Sequence, residues 1–369
     1  MAGTRVLDTG LIYRNPKPHV RAIHAIFPSV VALDDGEMLA SLALAEAFES
    51  VDMHSHLASS TDGGATWEFQ GELYRRRELT SESARLMVAP DGEIVALVNE
   101  CDRSGHPHDG LTNPDTLGFV PTRFWLLRSK DGGRTWSPPT PISPPLVGPS
   151  FELCSPIVPL SEGRWLLPTS TWRGWDGSEP SGMKMVAFLS EDDGASWPQY
   201  VEVMSDPAGE VIYWESKIAQ MADGTLLAVA WAYNEEAGED LPNQYVLSDD
   251  GGLTWSEPTS TGLQGQTMAV LALEDGRVLA IYRRMDRSGL WAALISVEDG
   301  RWETLQQAPV WGAAAEGLTS STDDMVANFN VLRFGAPCVI GLPDGDIFVA
   351  FWCYEQCVSN IRWFRLAVE

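Results

Sequence analysis

Six times along this chain a run of apolar residues breaks at an acidic residue followed by glycine and then resumes. The six copies are VVALDDGEMLASL, MVAPDGEIVAL, IVPLSEGRWLLP, IAQMADGTLLAVAW, VLALEDGRVLAIY and VIGLPDGDIFVAFW, turning at Gly36, Gly92, Gly163, Gly224, Gly276 and Gly345. Two short β-rich runs around an acidic-Gly turn form a hairpin. Their near-continuous apolar character, without polar alternation, predicts strands buried on both faces. No stretch shows a sustained helical stripe, and no apolar run approaches the roughly 18 residues that a membrane span needs.

A second repeat runs in phase with the first. Ser60 to Trp67, Ser129 to Trp136, Ser190 to Trp197 and Ser248 to Trp255 all read S-x-D-x-G-x-(T/S)-W, at intervals of 69, 61 and 58 residues. The box predicts a turn in which Ser and Asp side chains bond nearby amides, Gly adopts positive φ and Trp wedges between sheets. A shortened copy, Ser296 to Trp302, marks a fifth unit, and the sixth has none. Six hairpins with these boxes predict an all-β, six-bladed β-propeller spanning residues 1–369 as a single domain. The sixth blade has too few strands left before Glu369, so Arg5 to Tyr13 is expected to supply its outer strand and close the ring.

Charge narrows the partners. With 51 acidic against 25 basic residues the net charge is −26, a field that repels nucleic acid and anionic membrane surfaces. The five cysteines form no C-x-x-C pair and are read as buried free thiols. The start MAGTRVLDTG lacks a basic-then-apolar leader, so the chain as written reads as cytoplasmic, while a chain trimmed of its leader would be secreted or periplasmic. Oligomeric state is open at this stage.

The boxes and hairpins together resemble the sialidase superfamily of Asp-box propellers over nearly the full length. The box aspartates Asp62, Asp131, Asp192 and Asp250 are then structural, since the family carries them on outer turns away from the pocket. That pocket combines three arginines on a substrate carboxylate, a tyrosine nucleophile paired with a glutamate, and an aspartate acid/base. Trp214-Glu215-Ser216, nine residues before Gly224, resembles the run that carries the glutamate, and the loop around Asp52 resembles the one with the aspartate. Glu215 and Asp52 are therefore the candidate catalytic pair.

The chain departs from the family at three places. Ile26 stands where the first arginine belongs, Trp231 falls at the second, and Ala336 occupies the nucleophile's position. Arg283 or Arg284 could supply the third arginine, but alternate pointing along a strand lets only one face the pocket. The blade geometry gathers further candidates on one rim: Arg21, His24, Glu49, His54, Arg85, Glu152, Trp172, Arg173, Tyr213 and Gln266, with Asn328 to Asn330. Carboxylates, arginines and aromatics together suit a glycan, because rings stack on Trp and hydroxyls bond to acids and amides. All six histidines lie within the first 108 residues; the pairs His54/His56 and His106/His108 are read as solvated loop residues, with a divalent metal shared between the two pairs as the alternative, and no cofactor is expected. The resulting expectation is an exo-glycosidase that removes a terminal acidic or polar sugar without a tyrosine nucleophile. A polysaccharide lyase acting on a uronic acid and a non-catalytic glycan-binding propeller are the alternatives.

Overall fold

The computed structural model describes residues 3–33, 36–74, 78–315, 318 and 332–369. Six antiparallel sheets follow one another along the chain and close into a ring. Blade one contains His24–Ala32, Met38–Ala45, His54–Ser60 and Glu68–Glu72, from the axis outward. Blade two contains Thr80–Val88, Ile94–Asp102, Thr122–Ser129 and Thr140–Pro141. In blade three the innermost position is shared by Ser150–Glu152 and Val158–Pro159, both paired with Trp165–Trp172, ahead of Met185–Ser190 and Gln199–Met204. Blade four is Val211–Gln220, Leu226–Asn234, Glu239–Ser248 and Thr259–Ser260, and blade five is Gly265–Ala272, Val278–Arg284, Leu290–Glu298 and Arg301–Trp311. Blade six takes Phe334–Gly341, Ile347–Glu355 and Val358–Val368 from the C-terminal end, and its outer strand is Thr4–Arg14. That last pairing runs from Thr4 opposite Val368 to Arg14 opposite Asn360, so the two ends of the chain share one sheet.

The apolar runs are continuous because each second strand has a blade on either side. In blade one Met38 and Ala40 pack toward blade six, while Leu39 packs toward blade two. Leu166 and Leu167 divide between blades four and two in the same way, and Leu226 and Leu227 between blades three and five. The core is thus six layers, one in each cleft between blades, and both faces of these strands are buried.

The boxes clamp these clefts from outside. Ser60 Oγ accepts the Gly64 N–H at 2.9 Å and donates to Asp62 Oδ1 at 2.8 Å, while Asp62 accepts the Thr66 N–H and hydroxyl at 2.9 and 2.6 Å. Gly64 sits at φ 88°, and a Cβ there would stand 2.7 Å from the Phe348 ring. Trp67 donates to Gly64 O and lies against Phe348 of blade six; Trp136, Trp197, Trp255 and Trp302 likewise pack against the preceding blade. In the shortened copy the box is replaced by a two-residue turn, with Asp299 and Gly300 both at positive φ. Among the described residues no helix is long and apolar enough to cross a membrane.

Candidate functional site

The innermost strands carry a repeated irregularity near one end of the axis. Pairing slips between Ile26 and Ser29, Trp214 and Lys217, Gln266 and Met268, and Gly335 and Cys338. Each slip contains a residue in left-handed conformation: Phe27 (φ 53°), Glu215 (φ 48°), Thr267 (φ 33°) and Ala336 (φ 45°). Such a bulge adds one residue and re-aims side chains that strict alternation would turn elsewhere. Phe27, Glu215 and Ala336 consequently line a central cavity of ≈ 130 Å³, joined by Arg85 from blade two, Glu152 from blade three and Arg283 from blade five.

Two carboxylates meet in this cavity. Glu152, 9% exposed, accepts the Glu215 N–H at 3.2 Å, and burial, followed by the neighbouring charge of Glu215, raises its pKa. Glu215 Oε2 is buried without a hydrogen-bond partner. Both arginines are already engaged by the protein. Arg85 donates to the carbonyls of Phe27 and Ala84 at 3.2 Å, Cys154 at 3.4 Å and Leu153 at 3.5 Å, so it ties blades one, two and three together. Arg283 donates from Nε and Nη2 to Gln266 Oε1 at 3.1 and 2.7 Å and from Nη1 to Phe334 O at 3.0 Å. Gln266 in turn donates to Asp240, which also accepts the Trp231 indole N–H at 2.6 Å. Burial lowers the Arg283 pKa against the opposing charges of Glu215 and Asp240.

A long connection forms part of the cavity wall. The connection 103–121 of blade two places Leu111, Thr112, Phe119 and Val120 on the wall, bridged to blade three through Phe119 and Gly174. Arg103, fully buried, holds this connection by donating to Glu49 O and Ser81 Oγ, and Leu111 N–H binds Glu49 Oε2 at 2.9 Å. Burial raises the pKa of Glu49 against that amide and the Arg103 charge. Aromatic rings form much of the wall: Phe27, Phe48, Phe119, Trp214, Trp231 and Trp352. Trp214 stacks on Trp172 at 4.5 Å with Trp231 edge-on at 4.4 Å. Like Glu215 Oε2, the wall atoms Asn99 Oδ1 and Thr112 Oγ1 are buried without a hydrogen-bond partner. A dry orphaned acceptor costs ~1–3 kcal/mol, so these three atoms mark where a polar ligand or water is wanted.

The structure gathers Glu215, Glu49, Arg85, Glu152 and Arg283 in one cavity, with Gln266 behind Arg283 and Trp172 behind Trp214. It places other candidates elsewhere. Asp52 folds back on its own loop, accepting the Glu46 N–H at 3.0 Å and the Ser50 hydroxyl, and is absent from the cavity wall. Arg21 is exposed, and His24 bonds Tyr354 on blade six. Arg173 pairs with Glu179 and Glu235, Tyr213 is buried between blades three and four, and Arg284 turns outward to Asp286 over the Trp291 ring. His54 and His56 lie in a strand, which corrects the loop reading. Of the free cysteines, Cys357 is exposed. Asn328 to Asn330 lie outside the described residues. Asn99, Thr112 and Arg103 were missed from sequence, and no local pattern announces them.

A family model described as a BNR repeat-like domain matches residues 111–308. The chain is similar to a sialidase from Micromonospora viridifaciens, 26% identical over 249 residues that cover 58% of this chain and 34% of the relative. It thus spans about a third of that relative's length. Among solved structures, a protein of unknown function from Dyadobacter fermentans superposes with a TM-score of 0.76 at 20% identity over 100% of both chains. The intramolecular trans-sialidase of Ruminococcus gnavus superposes with a TM-score of 0.67 at 16% identity over 96% of both.

Proposed function

Since this chain belongs to the BNR repeat-like domain family, we propose that it is a glycoside hydrolase whose axial cavity binds and removes a terminal, hydroxyl-rich sugar. The observation that carries this reading is the pairing of Glu152 with Glu215. Two adjacent carboxyl groups whose surroundings separate their protonation are the working parts of a glycosidase. Glu152, held toward its protonated form, gives its proton to the glycosidic oxygen as the C–O bond breaks. Glu215, with Oε2 unpartnered, receives the developing positive charge at the anomeric carbon, either by attacking it or by taking a proton from the attacking water. No tyrosine stands on the cavity wall among the described residues, and Ala336 occupies the corresponding bulge.

The choice of sugar follows from the donor balance. Asn99 Nδ2 donates to Phe151 O at 3.4 Å, which orients Oδ1 as an acceptor. Asn99 Oδ1 and Glu215 Oε2 both call for O–H donors, which sugar hydroxyls supply and a carboxylate does not. Arg85 and Arg283, committed largely to carbonyls and to Gln266, offer no open fork for bidentate grip on an acid. Aromatic walls complete the match to sugar ring faces.

A panel of aryl glycosides spanning neutral sugars, uronides and sialosides tests this directly, with Glu215→Ala as the control. Release from a neutral member that disappears in the variant is the expected result. Release confined to sialosides would overturn the choice of sugar, and silence across the panel together with no saturable sugar binding would overturn the enzyme itself.

A further inference from the structure

On the outer half of blade one, away from the cavity, His54, His56 and Glu72 each bring one ligating atom within 4.8 Å of the other two. His56 and Glu72 are direct cross-strand partners, and His54 lies two residues away on the same strand face with its ring 4.4 Å from His56. We propose that these three side chains form a binding site for a divalent transition metal such as Zn²⁺ or Co²⁺.

The backbone prepares both imidazoles for that role. His54 Nδ1 lies 2.7 Å from Asp52 O, and His56 Nδ1 lies 3.1 Å from His54 O. A carbonyl only accepts, so Nδ1 carries the proton in each ring and the lone pair is left on Nε2. Tethering the far nitrogen to a carbonyl is how metal-binding histidines are oriented. His54 Nε2 points to Glu72 Oε1 at 3.4 Å, a carboxylate that matches the two-nitrogen, one-oxygen set of open zinc sites. Phe69 stacks behind His56 at 5.4 Å and fixes the plane of that ring. A chain of net charge −26 also concentrates cations around itself. The metal would pin the outer strand to the third strand at the foot of the 46–53 loop, which presents Phe48, Glu49 and Met53 to the cavity.

The test uses the whole chain stripped with chelator and titrated with Co²⁺, followed by visible absorption, and with Zn²⁺, followed by thermal unfolding. One equivalent should bind saturably and raise the unfolding midpoint. Glu72→Gln and His54→Gln, both at partly exposed side chains that leave the core intact, should each lose the saturable phase. His106→Gln/His108→Gln should keep it. No saturable phase in the wild-type chain, or one that survives His54→Gln, overturns the site and leaves an ordinary His–Glu pair.

Discussion

Replacing Glu152 by glutamine should cut turnover sharply while making the protein more stable. Glu152 is 9% exposed and its pKa is raised by burial and then by Glu215, so the folded chain holds that proton more tightly than the unfolded chain does. Stability therefore falls as pH rises from the unfolded glutamate value, roughly 4.3, through the higher folded one. Each unit of upward shift costs about 1.4 kcal/mol once the group is ionised. Glutamine keeps the shape and a carbonyl that can accept the Glu215 N–H, yet carries no charge. At neutral pH the variant should unfold at a higher urea concentration and a higher Tm than the wild-type chain. Below about pH 4, where both side chains are neutral, the gain should vanish. Turnover should fall roughly 10²–10⁴-fold with the loss of the acid. Urea unfolding of both proteins from pH 4 to 8, beside kcat on the responsive glycoside, measures the two effects independently. A variant less stable at pH 7, or a stability difference that ignores pH, would refute the electrostatic reading of the pair.

Three further outcomes follow from individual contacts. Trp214→Ala removes a 3% exposed ring stacked on Trp172 and should cost about 3–5 kcal/mol in urea unfolding; a loss under 1 kcal/mol would mean the aromatic stack contributes little. Gly335→Ala would put a Cβ 2.5 Å from Arg283 Nη1, so it should displace a buried guanidinium, cost about 1–3 kcal/mol and raise KM more than it lowers kcat; unchanged kinetics would remove Arg283 from the site. Asp131 is held down to about 2, first by the Thr135 hydroxyl and then by the Thr135 amide. The stabilisation from this box should therefore be present above roughly pH 4 and lost as pH falls toward 2, and Asp131→Ala should unfold more easily than wild type only above that window.

The blades were legible because their signals are local. An acidic-Gly turn between apolar runs specifies a hairpin within a dozen residues, and the strand deficit before Glu369 was enough to assign the closing strand to Arg5–Tyr13, which the structure extends to Thr4–Arg14. Alternation likewise allowed only one of Arg283 and Arg284 to face the pocket, and the structure turns Arg283 inward while Arg284 pairs with Asp286 outside. The cavity was legible only in part, because its members meet through long-range contacts. Arg103 reaches back to Glu49, Leu111 docks on the same residue from a different blade, and Asn99 bonds Phe151 of blade three. Asp52 shows the converse: a family position locates a loop, but the short Glu46-to-Asp52 turn captures the carboxylate for its own amide. Periodicity reports what a strand buries, and it is silent on which loop joins the cavity wall.

Four strained residues link the fold to the chemistry. Phe27, Glu215, Thr267 and Ala336 occupy the same place in four innermost strands, all non-glycine and all at positive φ. Each costs roughly 1–2 kcal/mol against ordinary β geometry, and four together rival the whole stability of a typical domain, about 5–15 kcal/mol. Glycine at Thr267 or Ala336 would relieve that cost, yet the sequence does not use it. The bulge therefore survives because the inter-blade packing on both sides over-determines it, and three of the four residues turn toward the cavity. At Glu215 the same distortion also frees the amide that Glu152 accepts. Backbone strain at this position thus brings two carboxyl groups together, a juxtaposition that regular strand pairing would not produce.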